Sequence, residues 1–145
     1  IVSQETNLYG IELHDKNTHL KSLLRALCRV DGINWIRLYY LYPHRSLDDE
    51  FIDIMASEEK IVKYVDMPLQ HISDPILKGM TRGHSSSFLR DLAGKMRDRI
   101  PELFFRTSLI VGFPGEEEED FAKLTECFAI SRLQLLCFRH QSSHF

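Results

Sequence analysis

Stretches suited to buried strands alternate along this chain with stretches suited to amphipathic helices, and that alternation limits the fold more than any other feature. Ile1-Val2-Ser3 reads as the tail of a strand. Leu20, Leu23, Leu24, Leu27 and Cys28 recur at helical spacing, and Asp31-Gly32 stops that helix. Trp35 to Leu41 is a nearly continuous aromatic and β-branched run, which predicts a strand buried on both faces, with Pro43 ending it. Ser46 with Asp49 predicts the start of a helix through Phe51, Ile52 and Met55. Ile61 to Asp66 reads as a third strand, Ser73 and Pro75 open a helical turn, and Ser85 or Ser86 caps a helix striped by Phe88, Leu89, Leu92 and Met96. Phe104 to Val111 predicts a fourth strand, Phe121, Leu124 and Phe128 a further helix, and Leu133 to Phe138 a fifth strand. Strands alternating with helices imply right-handed βαβ units and a parallel sheet, open or closed into a barrel.

Composition agrees with a packed α/β domain. Of 145 residues, 43% are apolar and 27% charged, with seven glycines and five prolines, so disorder and collagen-like repeats are excluded. No apolar run approaches the roughly 18 residues that cross a bilayer, and the expected setting is cytoplasmic, without membrane contact. A net charge of −3 argues against direct nucleic-acid binding by this segment, because phosphate binding needs clustered Lys and Arg. Cys28, Cys127 and Cys137 match neither a disulfide framework nor a metal knuckle, and read as small buried thiols. Tyr39, Tyr40 and Tyr42 lack interleaved basic residues and read as core.

Parallel α/β sheets carry their chemistry at the carboxyl ends of the strands. There the sequence places Gln4, Glu5 and Asn7, then His44 and Arg45, then Gln70 and His71, then Gly112 to Glu116. Four strand exits thus offer amides, carboxylates or imidazoles to one rim. Gln4 and Glu5 suit a ligand's ammonium or hydroxyl groups. In Gly112-Phe113-Pro114-Gly115 the glycines let backbone approach a flat heterocycle, although the same turn serves to start a helix. Glu116 is the carboxylate of the run 116–120 nearest a ligand there; the rest read as solvated charge complementing a helix dipole. His71 reads as a hydrogen-bonded structural histidine rather than a base. His14, His19, His84, His140 and His144 show no metal-ligand spacing. Arg106, inside a strand, calls for a carboxylate or ligand partner.

Four segments in order then resemble a known family: Ser-Gln-Glu-Thr-Asn-Leu-Tyr-Gly (3–10), Trp-Ile-Arg-Leu-Tyr-Tyr-Leu-Tyr-Pro (35–43), Asp-Met-Pro-Leu-Gln-His-Ile-Ser-Asp (66–74) with Met80-Thr81-Arg82-Gly83, and Arg-Thr-Ser-Leu-Ile-Val-Gly-Phe-Pro-Gly-Glu (106–116) with Glu119-Asp120-Phe121. They resemble the radical S-adenosylmethionine methylthiotransferases over residues 1 to about 130. Leu69-Gln70-His71-Ile72-Ser73 and the Trp35–Pro43 segment resemble the RimO-type branch, which methylthiolates an aspartate of a small-subunit ribosomal protein. The tRNA-adenosine branch and a non-catalytic α/β binding module are the alternatives.

The resemblance implies a partial (β/α) barrel of the radical SAM type, here truncated at both ends. It implies S-adenosylmethionine and two 4Fe-4S clusters in the full-length family, an electron donor for cluster reduction, and a ribosomal protein of the small subunit as substrate. Carried over, Gln4 and Glu5 fall near the cofactor's methionine end, Gln70 near its polar or ribose groups, and Gly112, Phe113, Pro114, Gly115 and Glu116 near the adenine, with Arg106 pairing a carboxylate. No catalytic or metal-binding residue is assigned. The family's Cys-x3-Cys-x2-Cys loop, its amino-terminal domain and its carboxyl-terminal TRAM-type domain have no counterpart in residues 1–145, and 131–145 diverge from the family. The chain is therefore expected to be a central piece, inactive alone.

Overall fold

The computed structural model describes residues 1–13, 17–130 and 134–139, and of 128–130 and 134–139 the backbone alone. Two short 3-10 turns, Thr6–Leu8 and Ile11–Leu13, precede α1 (Leu20–Cys28). There follow α2 (Asp49–Ser57), β1 (Tyr64–Asp66), α3 (Asp74–Gly79), α4 (Ser86–Arg99), β2 (Phe104–Val111), α5 (Glu118–Ile130) and β3 (Gln134–Arg139). The strands form one parallel sheet in the order β1-β2-β3, with Asp66 opposite Arg106 and Arg106 opposite Gln134. Parallel strands joined by helices give the α/β architecture that the alternating sequence predicts. Leu133, expected to open the last strand, and the tail from residue 140 lie outside the described residues.

The first two expected strands take a less regular form. Residues 1–3 and 36–41 form no regular strand and make only isolated pairings. The Ile1 ammonium donates to Arg37 O at 2.7 Å and Tyr39 N–H donates to Ile1 O at 3.2 Å. Ile36 bridges Ile61 in parallel, and Leu41 N–H donates to Asp66 O at 2.9 Å. Between those contacts Tyr40 adopts φ 56°, a left-handed conformation that interrupts strand pairing. The expected burial on both faces is also corrected: Ile36, Leu38 and Leu41 are buried, whereas Trp35 is 67% exposed and Tyr40 49%. Tyr40 is accordingly not a core residue. The third strand is shorter than expected because Tyr64 N–H donates to Val62 O, a tight turn that separates Ile61 from the ladder.

Helices cover one face of the sheet. α1, α2 and α4 each begin where a side chain satisfies free backbone N–H groups, whereas Ser73 ahead of α3 makes no such bond and Pro75 sits in its first turn instead. His19 and Ser22 form a reciprocal capping box on α1, Asp48 accepts from Phe51 N–H on α2, and Ser85 accepts from Phe88 N–H on α4. Ser46, expected to cap α2, is instead engaged by Asn7 and His44, so the cap moves to Asp48. The helices bury Leu20 and Leu24, then Phe51, Ile52 and Met55, then Leu89, Leu92 and Met96. Phe105 and Leu109 of β2 and Val65 of β1 join them in one core cluster. Cys28 and Cys127 are partly buried against this core, and burial pushes the Cys28 thiol up. Phe121 departs from expectation, since it lies 41% exposed while Leu124 of the same helix is buried. No helix among the described residues is long and apolar enough to cross a membrane.

Candidate functional site

The carboxyl ends of the extended segments meet at one edge of the sheet. The first exit is fixed by Thr6, whose hydroxyl donates to Tyr39 O at 2.6 Å, and by buried Asn7. Asn7 Oδ1 accepts Tyr42 N–H at 2.6 Å, and its amide donates to Ser46 Oγ at 3.0 Å. The first and second exits are thereby clamped together, which sets Gln4 and Glu5 beside Tyr40 and Tyr42. Gln70 is held from both sides by β2: its N–H donates to Ser108 O at 3.0 Å and its carbonyl accepts Ile110 N–H at 2.8 Å. Its φ of 68° is left-handed, like that of Tyr40. Strained backbone of this kind persists only where the surrounding structure fixes it, and it concentrates at functional sites.

A cleft of about 150 Å³ opens here, lined by Gln4, Glu5, Tyr40, Leu41, Tyr42, Pro68, Gln70 and Arg82. The three expected residues Gln4, Glu5 and Gln70 thus share one mouth. Tyr40 and Gln4 also border an adjoining, more apolar hollow with Val2 and Ser3. Glu5 and Arg82 bring opposite charges to the cleft, and Tyr42 meets the His84 ring edge-on at 5.5 Å. Burial, aided by the Arg82 guanidinium, pushes the His84 imidazole below its usual range. Arg82, Tyr40 and Tyr42 received no site role from the sequence; Met80-Thr81-Arg82-Gly83 was the available signal for the first.

The remaining expected residues lie elsewhere along this edge. Gly112 and Gly115 have φ 75° and 87°, so the Gly-Phe-Pro-Gly turn does use the conformations open to glycine. This turn follows β2 two residues beyond Ile110 and does not line the Gln4–Gln70 cleft. Phe113 packs toward α3, where a Cβ on Gly79 would come within 3.1 Å of its ring. Glu116 turns inward: its Oε2 accepts Gly112 N–H at 2.6 Å and Phe113 N–H at 3.0 Å, leaving the side chain 6% exposed. His71 is fully buried, with Nδ1 accepting Ser73 N–H at 3.0 Å, as a structural histidine requires. Arg106 has the carboxylate partner its position demands, Asp66 Oδ1 at 2.8 Å. Burial works against the Arg106 charge, but Asp66 and Tyr64 outweigh it and raise the guanidinium further. Arg45 leaves the rim for a hollow of about 230 Å³ between α2 and α4.

Among the described residues no group of three or more His, Cys, Asp or Glu side chains could hold a metal ion. Cys28 lies on α1 and Cys127 on α5. The cleft does fit a zwitterionic ligand with hydroxyl groups, given one carboxylate, one guanidinium and two amides around an aromatic wall.

Comparison with known proteins gives the same direction. The family model of the radical SAM superfamily matches residues 2–128. A ribosomal protein uS12 methylthiotransferase RimO from Anaeromyxobacter sp. (strain Fw109-5) is 49% identical over 136 residues, covering 94% of this chain and 28% of that protein. The protein of the same name from Myxococcus xanthus (strain DK1622) is 50% identical over 136 residues, again 94% and 28%. That from Pelobacter propionicus is 47% identical over 144 residues, covering 97% of this chain and 32% of the relative. The chain spans about three tenths of the length of these relatives. A match running through nearly all of an α/β chain, with the quoted motifs at its strand exits, identifies it as a member of the radical SAM superfamily.

Proposed function

We propose that this chain is the central part of a radical SAM (β/α) barrel domain, in a methylthiotransferase that modifies an aspartate of ribosomal protein uS12. One observation carries the reading: identity near one half to proteins named for that activity extends through 94% of the chain. The likeness therefore covers core and rim together rather than a single motif.

S-adenosylmethionine, when bound beside a 4Fe-4S cluster, supplies hydrogen-abstracting radical chemistry, and the protein supplies position. The Glu5 carboxylate suits the ammonium of the methionine end and the Arg82 guanidinium its carboxylate, because both line the same cleft. Gln4 and Gln70 offer amides to the ribose hydroxyls. Gly112, Phe113, Pro114 and Gly115 offer a backbone surface for the adenine, with Glu116 supporting it from behind. Arg106 is engaged with Asp66 and serves the sheet face rather than the cleft. The iron–sulfur ligands, the electron donor and the cytoplasmic setting belong to the whole protein in this reading.

The test is anaerobic assay of the full-length protein carrying this segment, with uS12 and with tRNA as acceptors, read by mass spectrometry. A methylthio group gained by an aspartate of uS12 supports the proposal. Modification of tRNA alone rejects the protein-modifying branch. Absence of S-adenosylmethionine binding would instead leave an α/β binding module.

A further inference from the structure

Two loops at the sheet edge are cross-braced by side chains. The loop after β1 carries Gln70, His71 and Ser73, and the turn after β2 carries Gly112 to Glu116. His71 Nε2 lies 3.5 Å from Glu116 Oε1. Two residues after His71, the Ser73 hydroxyl donates to Asp120 Oδ1 at 2.6 Å. Because His71 Nδ1 accepts Ser73 N–H, the neutral ring must carry its proton on Nε2, the nitrogen aimed at Glu116. That nitrogen is buried and has no hydrogen-bond partner of its own. The other Glu116 oxygen accepts both N–H groups that open the Gly-Phe-Pro-Gly turn.

We propose that His71 is a positioning residue: through Glu116 it holds the turn at residues 112–115 in the shape that receives a ligand beside Gln70. The inference rests on reading this rim as the S-adenosylmethionine site, and it adds a residue to which that reading gives no role. The physical need is plain. A carboxylate that is 6% exposed is costly unless both oxygens are compensated, and the turn's amides compensate only one. His71 faces the second. Without that N–H, Glu116 gains by swinging into water, and Gly112, at positive φ, and Phe113 lose the acceptor that holds their N–H groups in the turn. Gln70 immediately precedes His71, so the same brace fixes the spacing between cleft and turn.

The experiment compares the full-length protein with its His71→Leu and His71→Gln variants, the glutamine amide standing in for Nε2–H. Two readouts are taken: amide hydrogen exchange at Gly112 and Phe113, and S-adenosylmethionine affinity by calorimetry. Leucine is expected to speed exchange and weaken affinity by about tenfold each, the cost of one uncompensated buried polar group. Glutamine is expected to return both toward wild type. Unchanged exchange in a folded leucine variant overturns the proposal, as does a glutamine variant no better than leucine, which would mean that His71 merely fills space. Should the leucine variant not fold, His71→Asn carries the comparison, since its shorter amide reaches Ser73 but not Glu116; full protection at 112–113 would then overturn the brace. If exchange responds as expected but the wild type binds no S-adenosylmethionine, the brace stands and the reading of the rim fails.

Discussion

Asp66 and Arg106 stand opposite each other on neighbouring parallel strands, and their side chains meet at 2.8 Å. The Asp66 carboxylate is 3% exposed and the Arg106 guanidinium 36%, so the pair is lopsided in burial. Breaking a fully buried pair costs about 3–5 kcal/mol, because the remaining charge lacks compensation. Arg106→Leu is expected to cost about 2 kcal/mol in urea unfolding, less than that range because solvent already screens the guanidinium. The Asp66→Leu/Arg106→Leu double variant is expected to be more stable than Arg106→Leu alone, since no stranded carboxylate remains. A double variant that loses the sum of both single effects would show that the pair does not act as a unit.

Phe51 and Phe121 test the division between core and surface. Phe51 on α2 is 1% exposed within the cluster of Leu24, Met55 and Met96, whereas Phe121 on α5 is 41% exposed. Phe51→Ala is expected to lose about 3–5 kcal/mol through lost burial and a residual cavity. Phe121→Ala is expected to stay within about 0.5 kcal/mol of wild type, as surface substitutions do. Thermal or chemical denaturation of both variants checks the contrast.

The helices were legible because their signals are local: Leu20 and Leu24, or Leu89, Leu92 and Met96, recur at the period of one face, and Ser85 caps the second of these helices. The strand at residues 35–41 was only half legible. Its apolar content suggested burial on both faces, but burial alternates, and the left-handed turn at Tyr40 arises from contacts with Thr6 and Asp66 that no local pattern encodes. The rim was legible as a set of strand exits, since parallel sheets gather those ends. Which exits share a cleft was not: Gln4, Glu5 and Gln70 do, while Arg45 turns away to α2 and α4. Glu116 turned inward because its own turn presents two N–H groups, a competition between ligand and backbone that sequence spacing alone does not resolve.

Glu50 gives the chain an acid-sensitive contact between α1 and α2. Hydrogen bonds from Lys21 and Arg25, reinforced by their charges, bring its carboxyl from 4.5 down to about 2. A carboxyl whose folded pKa is depressed contributes stability above its unfolded pKa, and that contribution is lost as pH falls through the folded value. The melting temperature is therefore expected to decline between pH 4.5 and about 2 partly on account of Glu50. Glu50→Gln is expected to flatten that decline, and high salt to weaken the effect in wild type because the group is exposed. Parallel pH profiles of wild type and variant in both salt conditions measure it.

Gln70 separates stability from binding. Its φ of 68° costs a side-chain-bearing residue roughly 1–2 kcal/mol, a strain that glycine does not feel and a β-branched residue feels more strongly. Gln70→Gly is expected to leave stability within about 1 kcal/mol of wild type, since relief of strain opposes the greater freedom of the unfolded chain. Gln70→Val is expected to destabilise by about 1–2 kcal/mol. Both remove the amide from the cleft, so both should weaken S-adenosylmethionine binding by the full-length protein. A glycine variant that is stable yet binds normally would take Gln70 out of the site.

Glu5 supplies the carboxylate of the cleft, and its sharing that cleft with Arg82 makes a charge-specific test possible. A hydrogen bond to a charged group contributes about 1.5–3 kcal/mol, and solvent exposure of Glu5 holds the expectation to the lower end. Glu5→Gln in the full-length protein is accordingly expected to weaken S-adenosylmethionine binding about tenfold. Adenosine, which lacks the methionine end, is expected to bind both forms alike. Arg82→Gln should give the same pattern, because it removes the opposite charge from the same end of the ligand. Calorimetric titration of the two ligands against the three proteins decides the matter: equal losses for adenosine would mean that these substitutions deform the cleft rather than remove a partner for the ammonium or the carboxylate.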